Sequence, residues 1–253
     1  MFTAELYKEF DKYKEDMSEI EDNYVEHKKR QLRSLTRPTE PDQLIIHNGV
    51  YYLQLLLCRS INLIEGVFLA VNVKNPLIAI LATRAHFETT GALALFADKV
   101  TRFHKGTMDI RSIEKILQKL VLGTRFCELH DRFNAPKSEN VMNYIDAIDK
   151  MLCGLGVENK EANFRKNYEF LSEFCHPNTY GVALTHQLVA GSAIFNTSPT
   201  LSEKEIALVK HICYSASLFI LLYDDVLEKL LFKDGREILS LGEIAKFNEE
   251  NLL

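Results

Sequence analysis

The sequence predicts an all-α helical bundle with long antiparallel helices and one irregular loop or short hairpin near residues 178–199. Three observations carry this. Only 11 glycines and 6 prolines punctuate 253 residues, too few for the many turns of an all-β fold. Apolar residues recur at three- and four-residue spacing over long stretches, the period of a helix face. The breaks between those stretches are short, as at "TRPTEPDQ" and "KNP".

Taken in order, residues 1–37 read as one long amphipathic helix running from about 3 to 35. Leu6, Phe10, Tyr13, Met17, Ile20 and Tyr24 follow a 4-3-4-3-4 spacing, a heptad seam suited to a coiled-coil-like contact with the body or with a second copy. Lys28, Lys29, Arg30, Arg33 and Arg37 form a basic run at its end. They either complement the negative end of the helix dipole or offer a nucleic-acid-binding patch for phosphate. Pro38 and Pro41 then exclude regular helix, and the bundle core spans 42–232. Two long helices are expected at 42–73 and 76–104, joined by "KNP" with Pro76 in the first turn of the second. That second helix is apolar nearly all round as far as Phe96 and should be central. Shorter helices are expected at 109–122, 124–133, 139–153 and 158–176. A capping box, Ser202 with Glu205, opens a helix reaching about 232. Residues 233–253 read as one more tail helix.

Composition bounds the function. Hydrophobic residues at 47% and charged residues at 26% are ordinary for a soluble globular chain. A formal charge of −5 gives no global attraction to nucleic acid or an anionic membrane, so either contact needs a local patch. The five cysteines are scattered without a CxxC pair, which reads as reduced thiols in the cytoplasm. The opening MFTAELYKEF is charged, unlike a secretory signal. The apolar stretches at 61–73 and 77–97 are interrupted by Asn62, Glu65, Arg84 and Glu88, as in core helices and not in membrane spans.

Some polar residues need an explanation. Arg84 and Glu88 lie four apart, on one face of the central helix. A charged pair there fixes helix register or preorganises a polar pocket. His86 lies on another face and reads as a packed or surface histidine. In "YEFLSEFCHPNTYG", Arg165, Glu169, Ser172 or Glu173, and His176 recur at helical spacing beside an aromatic stripe. Pro177 biases His176 out of the helical region. His176 is then either a helix stop that caps free carbonyls or a fourth member of a catalytic cluster with Arg84, Glu88 and Ser172.

"RAHFE" in an early core helix followed by "YEFLSEFCHPN" resembles a group of bacterial helical proteins placed near the HEPN superfamily, over roughly residues 45–230. The resemblance implies a helical bundle in which Arg84, Glu88, Ser172 and His176 are the recurring polar positions. HEPN ribonucleases carry an arginine and a histidine four to six residues apart and usually work as dimers. "RFCELH" supplies a second catalytic candidate of that spacing, Arg125 and His130, although the residue after the arginine is Phe where a polar one is usual. The chemistry is coherent. The histidine would move a proton at the ribose 2′-hydroxyl or the leaving oxygen, and the arginine would stabilise the phosphorane charge. No metal site and no cofactor is expected. The Glu173/His176 ExxH and the Cys127/His130 CxxH each lack a second half, and no phosphate-cradling glycine loop is present.

The functional expectation is a HEPN-like effector acting on RNA or a nucleotide in a bacterial toxin or phage-defence setting. The alternative is a non-catalytic helical interaction and dimerisation module. Both imply a homodimer; the partners would be RNA for the first and a protein for the second, with no membrane.

Overall fold

The computed structural model describes residues 1–154, 163–195, 198, 200–233, 236, 237 and 240–247. It is an all-α bundle in which, among the described residues, strands form three short antiparallel pairs. Its axis is a helical hairpin, α3 (Pro41–Asn72) and α4 (Pro76–His104). The hairpin turns in three residues because Lys74 adopts φ 56° and the Asn75 side chain accepts from the Ile78 amide, 3.2 Å, with Pro76 following in the first turn. α4 is central, as its all-round apolar surface predicts. Phe87, Leu93 and Phe96 are fully buried, and α3, α5 (Ile110–Leu122), α7 (Val141–Gly154), α8 (Phe164–Glu173), α10 (Glu203–Val209) and α11 (His211–Leu231) all pack on it. α6 (Cys127–Phe133) lies outside this layer.

The N-terminal segment differs from one continuous helix. α1 (Ala4–Glu9) gives way at Phe10 to a single 3-10 turn, and α2 (Lys14–Lys29) follows. The seam residues Leu6, Phe10, Met17 and Ile20 are nevertheless buried. They pack with Phe2 against Val67, Phe68 and Val71 of α3 and against Ile206, Val209 and Ile212. Of the two contacts the heptad allowed, the body takes it. α2 stops at Arg30 because the Gln54 amide takes over the chain there. It donates to the Arg30 carbonyl, 3.1 Å, and accepts from the Leu32 amide, 2.9 Å. Residues Leu32–Leu35 then form β1, paired with β6 (Ala245–Phe247).

α8 spans Phe164–Glu173, so the expected early start falls partly on 158–162, outside the described residues. α9 (Thr179–Ala183) and the hairpin β2 (His186–Val189) and β3 (Ser192–Phe195) fill the irregular insertion. The hairpin turn is Ala190-Gly191, both with positive φ, 47° and 83°, the geometry whose twist matches the flanking strands. The capping box at Ser202 is present, with the Ser202 amide donating to Glu205 Oε2, 2.5 Å. The helix it opens breaks at Lys210, giving α10 and α11. The tail expected as a helix holds the short pair β4 (Phe232–Lys233) and β5 (Arg236–Glu237), one helical turn α12 (Leu241–Ile244), and β6. Pairing with β1 claims the tail's backbone groups; residues 248–253 lie outside the description.

Two stretches, Gln43–Asn72 and Glu203–Leu231, are long and apolar enough to cross a membrane by composition, with mean hydropathies of 1.5 and 1.7. In each, 56% of the apolar window is buried inside the chain, which is how the core helices of a globular bundle also read.

Two helix glycines make opposite predictions. A Cβ on Gly91 would lie 2.8 Å from the Tyr144 backbone, so α4 and α7 approach closely only because that side chain is absent. Gly91→Ala is expected to destabilise the fold by roughly 1–3 kcal/mol. A Cβ on Gly66 would meet only Ala82 Cβ at 3.8 Å, an ordinary contact. Gly66→Ala should therefore stabilise by about 0.5–1 kcal/mol, read by urea unfolding of both variants.

Candidate functional site

Polar residues of α4 meet the surrounding helices at three levels, and the first holds the predicted cluster. Arg84 Nε donates to Ser172 Oγ, 2.9 Å, and Nη2 donates to the Tyr168 hydroxyl, 2.7 Å. The same Nη2 lies 3.2 Å from Glu88 Oε1. The Tyr168 hydroxyl in turn donates to Glu88 Oε1, 3.1 Å, and Ser172 Oγ to the Tyr168 carbonyl, 2.8 Å. The guanidinium also lies 5.0 Å from the Tyr168 ring centroid. Burial, then the Glu88 charge, pushes the Tyr168 hydroxyl's pKa up, so it stays a neutral donor. Arg84 and Glu88 keep 27% and 26% of their side-chain surface exposed. The cluster is thus closed on itself with one edge at the surface.

His176 does not join it. α8 ends at Glu173, and His176 is exposed on the bend beyond, with no hydrogen bond or ion pair among the described residues. The motif around it is a corner between two helices. Asn178 accepts from the Tyr180 and Gly181 amides, both 3.1 Å, and donates to Glu173 Oε2, 2.9 Å. Gly181 has no room for a Cβ against the His176 carbonyl. Pro177 and Asn178 end one helix and start the next, and His176 lies on the bend between them. The ionisable stripe also faces elsewhere: Arg165 pairs with Glu169, 2.9 Å, and with Asp146 of α7, 2.7 Å. Tyr168 was missed, though it stands four residues before Ser172 and therefore on the same face.

At the second level His86 is fully buried between two serines. Its Nε2 lies 2.6 Å from Ser60 Oγ of α3 and its Nδ1 lies 2.9 Å from Ser215 Oγ of α11. One serine donates to the imine nitrogen and the other accepts from the ring N–H. Thr90 bonds the Ser215 hydroxyl and carbonyl as well, 2.9 and 3.2 Å. Burial, with His27 and Arg59 adding to it, holds His86 well below the usual histidine range. His27 stacks on Phe219, centroids 5.2 Å apart. Its Nδ1 donates to the Asn23 carbonyl, 2.7 Å, while the buried Nε2 has no hydrogen-bond partner among the described residues. Burial lowers its pKa to about 4. No sequence signal marked His27, which sits in a charged run.

The third level, around the C-terminal third of α4, opens into a cavity of about 980 Å³ bounded by α5, α7 and α11.

The second catalytic candidate is at the surface. Arg125 is exposed just before α6. His130 is half-buried, its Nδ1 donating to the Ala135 carbonyl at 2.6 Å, and no hydrogen bond links the two residues. The basic run is divided. Arg30 donates twice to Asp224 of α11, 2.8 and 2.7 Å, and pairs with Glu26, as does Lys29 at 2.7 Å. Lys28 closes the same helix end, with Arg33 exposed on β1 and Arg37 on the connection after it. Arg30 is therefore a tie between α2 and α11, not a free phosphate ligand. Among the described residues no three His, Cys, Asp or Glu side chains gather as a metal site.

Truncating Arg84 and Ser172 separately and together should show a coupling of about 0.5–1.5 kcal/mol in urea unfolding; additive effects would mean their contact is idle. Stability should also depend on pH through His27. Its folded pKa lies below the unfolded value near 6.5, so the unfolded chain takes up the proton first. Stability is full above about 6.5 and falls as pH drops towards 4, by on the order of 3 kcal/mol. His27→Phe keeps the stacking and should flatten that slope by up to about 1.4 kcal/mol per pH unit. Comparison with protein-family models, with curated proteins and with solved structures finds no match to this chain.

Proposed function

We propose that this chain is a cytoplasmic helical interaction module that pairs with a second copy of itself. The observation that carries this reading is uncovered apolar surface on two peripheral elements. Phe126 and Phe133 of the α6 region are 61% and 65% exposed, and Leu188 and Phe195 of the β2–β3 hairpin are 76% and 69% exposed. Contiguous exposed apolar surface marks an interaction site. The hairpin forms a two-stranded sheet with no third strand among the described residues. Such an edge can pair with its own copy about a two-fold axis. The N-terminal seam, the other route to pairing, is consumed by the body. The five thiols, all free, accord with a reducing compartment.

A second reading, an RNA-acting effector of the HEPN-like kind in a toxin or phage-defence setting, is favoured by one observation. The Ala135 carbonyl orients the His130 ring and leaves Nε2 without a hydrogen-bond partner among the described residues, beside the uncovered face of α6. A pinned ring with one free nitrogen suits general acid–base work. Pairing through α6 would bring two such histidines and two Arg125 side chains to one interface.

One set of preparations tests both. Light scattering should give the mass of two chains, and Phe195→Asp or Phe133→Asp should weaken pairing at least about tenfold; a monomer at every concentration would sink the pairing. Total RNA incubated with the protein should stay intact. Cleavage that is lost in His130→Ala and kept in His176→Ala would replace the module by the effector.

A further inference from the structure

The cavity at the third level of α4 is large for a bundle of this size. At about 980 Å³ it reaches the upper end of small-molecule sites. Its floor is apolar, formed by Ala94 and Ala97 of α4, Met151 of α7, and Leu218 and Leu222 of α11. Charged residues ring it, and their pairing is uneven. Each of the four acids in the lining has a cation. Asp98 is held by Lys99, 2.7 Å, Glu139 by Lys119, 2.5 Å, Asp225 by Lys229, 2.6 Å, and Asp146 by Arg165, 2.7 Å. Two lining cations remain. The side chains of Arg102 of α4 and Lys150 of α7 are exposed and have no hydrogen-bond or ion-pair partner among the described residues. The site therefore combines an apolar floor with two cations that no acid in it pairs.

We propose that this cavity binds a small amphipathic anion, with a hydrocarbon or aromatic body on the floor and a carboxylate, phosphate or sulfonate at Arg102 or at Lys150. Two physical terms act together. Apolar area removed from water drives the body inward, and the guanidinium or the ammonium makes charge-assisted hydrogen bonds to the head group. A cationic or zwitterionic ligand would face those charges unfavourably. A fully polar anion would leave the floor uncovered. The site is separate from the exposed faces of α6 and the hairpin and does not depend on pairing.

The test uses the full chain and two fluorescent probes of similar shape, anionic 8-anilino-1-naphthalenesulfonate and uncharged N-phenyl-1-naphthylamine. The anion should bind one per chain, tighter than the neutral probe, and decanoate or dodecyl phosphate should displace it. Which of the two displaces it better identifies the head group. The double variant Arg102→Ala/Lys150→Ala changes only exposed side chains, so it should fold. It should bind the anion about tenfold more weakly and the neutral probe unchanged. That dependence separates the cavity from the apolar surfaces elsewhere. Three results would overturn the proposal: equal affinity for both probes, anion binding untouched in the double variant, or no binding of either probe.

Discussion

A helix packed on by six neighbours leaves most of its polar side chains little water, so they must find partners on the helices around it. That constraint on α4 organises the bundle. Arg84 reaches Tyr168 and Ser172 of α8. Two residues on, His86 bridges Ser60 of α3 and Ser215 of α11. Thr89 accepts from Arg59 of α3, 3.1 Å, and Thr90 holds Ser215. Gly91 sets the approach of α7. Within eight residues, α4 fixes its register against four neighbours. Apolar packing alone tolerates slips that these pairings do not, because a slipped helix would bury an unmatched donor or charge.

The same constraint separates what the sequence revealed from what it hid. The α3–α4 hairpin was legible because local chemistry fixes it: Asn75 and Pro76 start α4, and the apolar run is unbroken. The Ser202–Glu205 cap was legible for the same reason. His176 was left open between a helix stop and a place in the cluster, and the end of α8 at Glu173 decides the geometry. Ser172 faces α4 together with Tyr168, and each step of one residue turns the side chain by about 100°, so the Arg165–Glu169–Glu173 stripe faces outward. The helix then ends before His176 can return to the cluster. The ends of α2 and of the tail were hidden because long-range partners decide them. Gln54 stops α2 from a helix more than twenty residues away in sequence, and β6 exists only where β1 lies beside it. The cavity was hidden because its lining comes from four helices.

The N-terminal seam illustrates how one pattern can serve two ends. A heptad spacing reports that a helix will bury a narrow stripe, and it is silent on what will cover it. Here Phe68 receives both Phe2 and Tyr24 edge-on, centroids 4.9 and 5.4 Å apart. Arg30 then clamps the far end to Asp224. With the stripe covered and the end tied, the surface left for a partner moves to the periphery. The uncovered rings lie on α6 and the hairpin, elements that pack little on α4 and carry little of the core. Such elements can order against a partner at small cost to the bundle.

Polar groups along α4 change character from one end to the other. From Arg84 to Thr90 the principal partners are protein groups, and the geometry closes on itself. A cluster of that kind serves architecture well and catalysis poorly, because Glu88 already engages the arginine that would stabilise a substrate's charge. Past Gly91 polar partners thin out to Thr101, which accepts from Lys229 of α11, 3.2 Å, Ala94 and Ala97 line the cavity, and the Arg102 side chain reaches the surface unmatched. A protein that satisfies the five polar residues of that stretch so fully and then leaves two cations beside an apolar floor has its unspent binding capacity at the cavity. The Arg84–Glu88 cluster holds the helices in place, and Arg102 stands about four turns of helix beyond Glu88.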